Sequence, residues 1–227
     1  MVRMEHSPME PSAGGFGSGA LVIASGNRGK VREFGQLLAG LDLEVRPQPP
    51  GLEVEETGST FAENARLKAI AVARATGCWA LADDSGLSVD ALGGAPGVHS
   101  ARYADSDGAR IARLLAELKA AESEPGRQAR FTAALAVADP SGAVRLEVEG
   151  HCPGLILEAP RGDGGFGYDP VFYVPEAGQT FAEMDSATKS LLGHRGRAFA
   201  ALEPGLRELL NSPKSRPKSR PESRPER

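Results

Sequence analysis

The chain has only two cysteines and four histidines in 227 residues, and neither set is spaced for chemistry. Cys78 and Cys152 are far apart, which excludes a disulfide framework and a metal-spaced pair. Two free thiols in a reducing cytoplasm are the simplest expectation. His6, His99, His151 and His194 are scattered and offer no zinc spacing. No apolar run approaches the length of a membrane span, so no membrane partner is expected. Residues 1–19 lack the apolar stretch of a secretory signal and are rich in Gly, Ser, Pro and Met. Nor is there a basic excess, since the formal net charge is −4. Residues 212–227 carry six Lys or Arg against two Glu, which leaves the body before them at −8. An acidic body lacks the basic face that extended nucleic-acid binding needs, so no stable nucleic-acid partner is expected.

What is present divides into three parts. Residues 1–19 read as a disordered extension. Residues 212–227 repeat Ser-Arg-Pro with a proline every fourth position, which forbids helix and reads as a solvated, disordered tail. Residues 20–211 form the folded domain. Ala20 to Ser25 is a short apolar strand, and Val31, Phe34, Leu37, Leu38 and Leu41 behind it recur at helical spacing. Leu43 to Val45 reads as the next strand. Thr60-Phe61-Ala62-Glu63 is a capping box that opens a long helix ended by Gly77. Trp79 to Ala82 reads as a buried strand, Gly86 as a sharp turn behind it, and Ser85 to Leu92 as a further strand. Asp105 or Ser106 caps a helix, and a hairpin turns at Asp139-Pro140-Ser141-Gly142. Leu155 to Leu157 extends the sheet. A second Thr-Phe-Ala-Glu box at Thr180 to Glu183 is expected to open another helix, and a last one covers about Gly196 to Leu210. Interleaved strands and helices with an inserted hairpin give an α/β class with a mixed β-sheet and flanking helices.

Five segments can carry chemistry. Asp83 and Asp84 close an apolar run, and adjacent acids repel unless a cation sits between them or one stays protonated. A hard divalent ion such as Mg²⁺ would resolve this, and so would a plain Asp-Asp turn with Ser85 and Gly86 bonding the local backbone. Ser25-Gly26-Asn27-Arg28-Gly29-Lys30 lies between a strand and a helix N-terminus, where free backbone N–H groups favour an anion. It fails as a Walker A loop, because Ala24 and Val31 stand where Gly and Ser/Thr are required. Gly162 to Gly167 matches a dinucleotide string by letters, but Pro160 precedes it and Asp169-Pro170 blocks a following helix. Phe166 with Tyr168 and Asp169 fits either a base-stacking loop or a turn anchored in the core. Lys189, His194 and Arg195 form a basic corner, and Glu53, Glu55 and Glu56 crowd one loop, each also readable as a solvated face.

Taken together, these segments resemble the inosine triphosphate pyrophosphatase family. The resemblance is carried by Ser25 to Lys30, Glu55-Glu56-Thr57-Gly58 with Phe61 to Asn64, and Ala82 to Gly86. It continues through Leu92 to Gly97 with Ser100 to Tyr103, Gly164 to Pro170, and Lys189 with His194-Arg195-Gly196. The motifs keep the family's order over about Leu21 to Leu210. The resemblance implies two lobes around a central substrate cleft and a homodimer. It also implies Mg²⁺-dependent cleavage of ITP, dITP, XTP or dXTP to the monophosphate and pyrophosphate, which cleans the nucleotide pool. By motif position, Ser25, Gly26, Asn27, Arg28, Gly29 and Lys30 cradle the triphosphate with Lys68. Glu55 and Asp84 hold the metal, Asp84 is also the proton acceptor, and Ser85 contacts substrate. Phe166, Gly167, Tyr168, Asp169, Lys189, His194 and Arg195 grip the base. Gly193 departs from the family pattern, in which a Ser often precedes the His-Arg pair.

Overall fold

The computed structural model describes residues 20–121 and 126–211, so both terminal segments lie outside the described residues. Seven strands form one mixed sheet: β1 (Leu21–Ala24), β2 (Val45–Pro47), β3 (Trp79–Val89), β4 (Gln128–Ala138), β5 (Val144–Ile156), β6 (Phe172–Val174) and β7 (Gln179–Thr180). Their order is β2-β1-β3-β4-β5-β6-β7. The β1 strand pairs parallel with β2 and β3, and every later pairing is antiparallel. Around the sheet lie α1 (Arg28–Leu38), α2 (Phe61–Thr76), α3 (Asp107–Ala120), α4 (Ser186–Leu192) and α5 (His194–Asn211).

The two faces of the sheet are packed differently. On one, Ala65, Ala69, Val72 and Ala73 of α2 meet Ala80, Ala82, Ala134 and Ala136, and these small side chains let the helix lie close to the strands. On the other, Phe34 and Leu38 of α1 and Ala198, Phe199 and Leu202 of α5 cover Leu21, Ile23, Leu81 and Leu135. Thr60 accepts from Glu63 N while the Glu63 carboxylate returns to the Thr60 amide, and Gly77 ends α2 with φ 64°, as the box and the glycine predicted.

Three expectations need correction. The chain does not turn at Gly86: β3 runs unbroken from Trp79 to Val89, so Ser85 to Leu92 is not a separate strand. Gly86 is required because a Cβ there would lie 2.4 Å from Ser100 Oγ and 2.6 Å from the Gly97 carbonyl. The second Thr-Phe-Ala-Glu box makes its reciprocal bonds, Thr180 N to Glu183 Oε2 at 2.8 Å and Glu183 N to Thr180 Oγ1 at 3.3 Å, yet opens no helix. Phe181 is buried in the aromatic core, the Ala182 N–H donates to the Asp169 carbonyl, and the next helix is capped by Asp185. The strand expected at Leu43 lies at Val45–Pro47, and Leu155 falls inside the long β5.

One packing detail positions the site. A Cβ on Gly150 of β5 would sit 2.2 Å from Ala198 N and 2.4 Å from the His194 carbonyl. The start of α5 therefore lies directly on the sheet backbone, and it brings His194 and Arg195 over the strands.

Candidate active site

The site arises where β1 stops and β3 does not. The β1–β3 pairing ends at Ala24 opposite Ala82, while β3 continues against β4 as far as Val89 opposite Ala129. Asp83 and Asp84 are therefore the first β3 residues without a β1 neighbour, and the chain leaving β1 forms the turn Ser25 to Lys30 beside them. Clefts at the carboxyl ends of parallel strands are the usual ligand positions in α/β sheets. Asn27 caps α1, its Oδ1 accepting from Gly29 N at 2.8 Å and Lys30 N at 3.2 Å, and its own N–H donates to Ser25 Oγ at 3.2 Å.

Alternation along the strand sends the two acids to opposite faces, and each finds its own cations. Asp83 is 2 % exposed and points to the α1–α5 side. Its Oδ2 meets Lys30 Nζ at 3.0 Å and Arg195 Nε at 3.0 Å, and accepts from Ser85 Oγ at 3.2 Å. Burial opposes its ionisation, but the charges of Lys30, Arg195 and Lys68 hold the carboxyl well below the usual carboxylate range. Asp84 points to the α2 side, where Lys68 Nζ lies 2.7 Å from Oδ1 and Asn64 Nδ2 donates to Oδ2 at 3.3 Å. Here burial prevails over Lys68 and raises the carboxyl above its ordinary value. Lys68 also binds Glu56 Oε1 at 2.8 Å and the Asp83 carbonyl at 2.9 Å, and Arg102 holds the other Glu56 oxygen at 2.8 Å. The two acids thus do not share a site as like charges.

Across the turn stands an aromatic and basic wall. His194 lies almost parallel to Phe131, with centroids 4.7 Å apart and planes at 14°, and Phe181 flanks it at 5.8 Å. Burial pushes its pKa far down, so the imidazole is neutral. Glu33 of α1 ties the wall together, meeting Arg195 Nη1 at 2.9 Å and Lys189 Nζ at 3.2 Å. Lys189 also pairs with Asp169 at 2.6 Å and lies 5.1 Å from the Phe166 ring centroid. Burial raises the Asp169 carboxyl despite that lysine. The Phe166 ring presses on the anion turn, since a Cβ at Gly29 would be 2.8 Å from two of its carbons. A cavity between turn and wall is lined by Asn27, Lys30, Ser85, Phe166, His194 and Arg195, among others.

The structure thus gathers Asn27, Gly29, Lys30, Lys68, Asp84, Ser85, Phe166, Asp169, Lys189, His194 and Arg195 around one region. Five expected residues sit differently. Tyr168 borders the cavity but is buried, its hydroxyl turned away to donate to the Ser100 carbonyl at 2.9 Å. Ser25, Gly26 and Arg28 line a separate cavity with Gln48, Leu52 and Glu53. Glu55 is exposed, and it is its neighbour Glu56 that turns toward the aspartates. Gly167 donates from its N–H to Asp107 Oδ2 at 2.7 Å. Gly193 caps α4, and a Cβ there would meet the Lys189 carbonyl of the last turn at 2.5 Å, so a serine would require this cap to shift.

Sequence reasoning gave no role to Glu33, Asn64 and Asp107, and among Glu53, Glu55 and Glu56 it chose Glu55. Asn64 carried a readable signal, being a polar residue on the stripe Asn64, Ala65, Ala69, Val72 and Ala73 that α2 buries. Glu33 lies three residues after Lys30 on the same helix face. Asp107 gave no local sign.

Among the described residues, the buried side-chain polar atoms without a hydrogen-bond partner are Asp83 Oδ1 and both ring nitrogens of His194. Such orphans are costly, and here they lie beside the cavity between turn and wall, whose lining includes His194. Anion-binding turn, buried acids under cations, and a neutral imidazole in an aromatic wall define an α/β protein built to bind a phosphorylated aromatic ligand. The chain belongs to the Ham1 family, whose model matches residues 21–204. It is 62% identical over 192 residues to a dITP/XTP pyrophosphatase of Parasynechococcus marenigrum (strain WH8102), covering 85% of this chain and 97% of that one. It is 64% identical to the dITP/XTP pyrophosphatase of Synechococcus sp. (strain CC9311), over 85% of this chain and 92% of that one. The solved structure of a HAM1 protein from Coxiella burnetii superposes with a TM-score of 0.77 at 43% identity, covering 83% of this chain and 98% of that one.

Proposed function

We propose that this protein hydrolyses non-standard purine nucleoside triphosphates, ITP, dITP, XTP and dXTP, to the nucleoside monophosphate and pyrophosphate, with Mg²⁺ as the metal. The observation that carries the reading is the division of labour between Asp83 and Asp84. Asp83 is a buried anion that orients Lys30, Arg195 and Ser85 on one face of the sheet, whereas Asp84 faces the other side beside Lys68, Asn64 and the glutamate loop. Lys68 and Asn64 hold the two Asp84 oxygens in fixed positions, and a carboxylate fixed in this way can accept a proton from an attacking water.

The residues present fit a Mg²⁺ ion. Among the described residues no cluster of three His, Cys, Asp or Glu forms a ready-made cage. Mg²⁺ needs none, because it binds through one or two carboxylates plus substrate phosphate oxygens. Asp84 would hold it with the glutamate loop, Glu55 by motif order and Glu56 by the reach of its carboxylate to Lys68 at 2.8 Å. When bound, the ion supplies charge neutralisation on the phosphate oxygens. The turn from Ser25 to Lys30 orients the triphosphate with Lys68, and Asp84 accepts the proton of the water.

Base choice falls to the wall. Lys189 and Arg195 can only donate hydrogen bonds, which suits an acceptor such as the purine 6-oxo oxygen and leaves the adenine amino group facing donors. Buried donors built for one partner discriminate by about 10⁴ or more. Phe166 would stack on the base. No helix among the described residues is long and apolar enough to cross a membrane, and a homodimer working in the cytoplasm accompanies this reading. Pyrophosphate release from ITP, dITP, XTP, ATP and GTP, with and without Mg²⁺, tests it. The expected result is metal-dependent turnover of the first three, and equal turnover of ATP would overturn the selectivity.

A further inference from the structure

The Lys68 ammonium sits among three oxygens from two parts of the chain, the glutamate loop and β3: Asp84 Oδ1 at 2.7 Å, Glu56 Oε1 at 2.8 Å and the Asp83 carbonyl at 2.9 Å. Two carboxylates and a backbone carbonyl are the donor set of a hard divalent cation. An ammonium has three hydrogens, and all three are used here. We propose that Lys68 is a surrogate cation: its ammonium and a divalent ion exclude one another at Asp84 and Glu56, so the metal enters together with the nucleotide. This rests on the metal-dependent reading above.

Three features support the exchange. The side chains of Lys68, Asp84 and Glu56 are 13%, 9% and 23% exposed, so a second cation beside the ammonium would be poorly screened. Glu56 does not depend on Lys68 for its place, because Arg102 Nη1 holds its other oxygen at 2.8 Å. Lysine is a point charge on a flexible stem, able to leave one set of oxygens for another. Its destination is close, since Lys30 Nζ of the anion turn also reaches the Asp83 carbonyl, at 3.4 Å. A phosphate arriving at the turn therefore offers Lys68 new oxygens at the moment it frees Asp84 and Glu56.

The test is Mn²⁺ binding without nucleotide, read by electron paramagnetic resonance on the full chain. The Lys68→Met protein should bind Mn²⁺ at least about tenfold more tightly than the unsubstituted protein, and Lys68→Arg, which keeps a cation, should not. Lys30→Met removes an equal charge that touches Asp83 but lacks contact with Asp84 or Glu56, so it should gain much less. Equal gains in the two methionine variants, or no gain in Lys68→Met, overturn the proposal. Should Lys68→Met fail to fold, the unsubstituted protein still decides. Exclusion is a competition, so Mn²⁺ in large excess should displace the ammonium even without nucleotide. Acylation of Lys68, followed by mass spectrometry, should then rise severalfold at Mn²⁺ concentrations where electron paramagnetic resonance shows the site filled, and unchanged labelling there overturns the exchange. Neither measurement uses a purine triphosphate, so a failed substrate panel and a failed exchange are told apart.

Discussion

Replacing Asp83 and Asp84 one at a time by Asn should separate stability from catalysis. The side chains of Asp83, Arg195 and Lys30 are 1%, 8% and 14% exposed, so Asp83→Asn leaves two nearly buried cations facing a neutral amide. Removing one partner of a buried ion pair costs about 3–5 kcal/mol. Arg195 keeps Glu33 at 2.9 Å and Ser85 Oγ at 2.7 Å, which places the loss near the lower end. With a urea m-value of about 2–3 kcal/mol/M, about 3 kcal/mol moves the unfolding midpoint down by about 1 M. Asp84→Asn should behave oppositely. Lys68 retains Glu56 and the Asp83 carbonyl, and burial already works against the Asp84 charge, so stability should change by no more than about 1 kcal/mol. Its turnover should fall by about 10²–10⁴, the worth of a positioned proton acceptor. The pH dependence carries a sign. The Asp83 carboxyl lies below its ordinary value in the fold, so its contribution is full above the unfolded value of about 3.9 and is lost as pH falls toward the folded one. The gap between the unsubstituted protein and Asp83→Asn should thus be flat from about pH 5 to 8 and narrower by about 1 kcal/mol at pH 3. Urea unfolding at several pH values, with pyrophosphate assays on both variants, checks all of this. A loss under about 1 kcal/mol for Asp83→Asn, or a gap that does not narrow in acid, would refute the reasoning.

Two further outcomes follow from particular contacts. Phe166→Ala should raise KM for ITP by roughly 5- to 150-fold, the worth of about 1–3 kcal/mol of base stacking, while kcat changes far less; steady-state kinetics decide, and an unchanged KM removes Phe166 from the base site. Gly150→Ala drives a methyl group into Ala198 N and the His194 carbonyl, backbone atoms that no rotamer change can move. It should cost about 1–3 kcal/mol in thermal unfolding and also weaken substrate binding, because α5 carries the base wall. Unaltered stability would show that α5 does not rest on the sheet as described.

Much of this protein was legible without coordinates. The Thr60–Glu63 box and Gly77 delimit α2 by bonds made within a few residues, and the motifs named some of the groups that the fold brings together, among them Lys30, Lys68, Asp84 and Arg195. Gly86 shows where local reading stops: it looks like a turn, yet the strand continues and the glycine serves Ser100 and Gly97, residues far along the chain. That misreading hid the opposite facing of Asp83 and Asp84, which alternation makes inevitable once the strand is known to pass through both. The two Thr-Phe-Ala-Glu boxes make the same point, for one string opens a helix and the other does not. The difference lies in where Phe181 is buried and in the carbonyl that Ala182 finds. Likewise nothing in Glu55-Glu56 says which carboxylate turns inward, nor that Glu33 bridges Lys189 and Arg195. Sequence by itself determined what can be decided over one or two turns of chain: caps, strand and helix identity, and the inventory of charged and aromatic groups in order. Tertiary structure alone decided which charge answers which. Asp83 meets Lys30 across 53 residues and Arg195 across 112, distances along the chain that only sheet pairing and helix packing close.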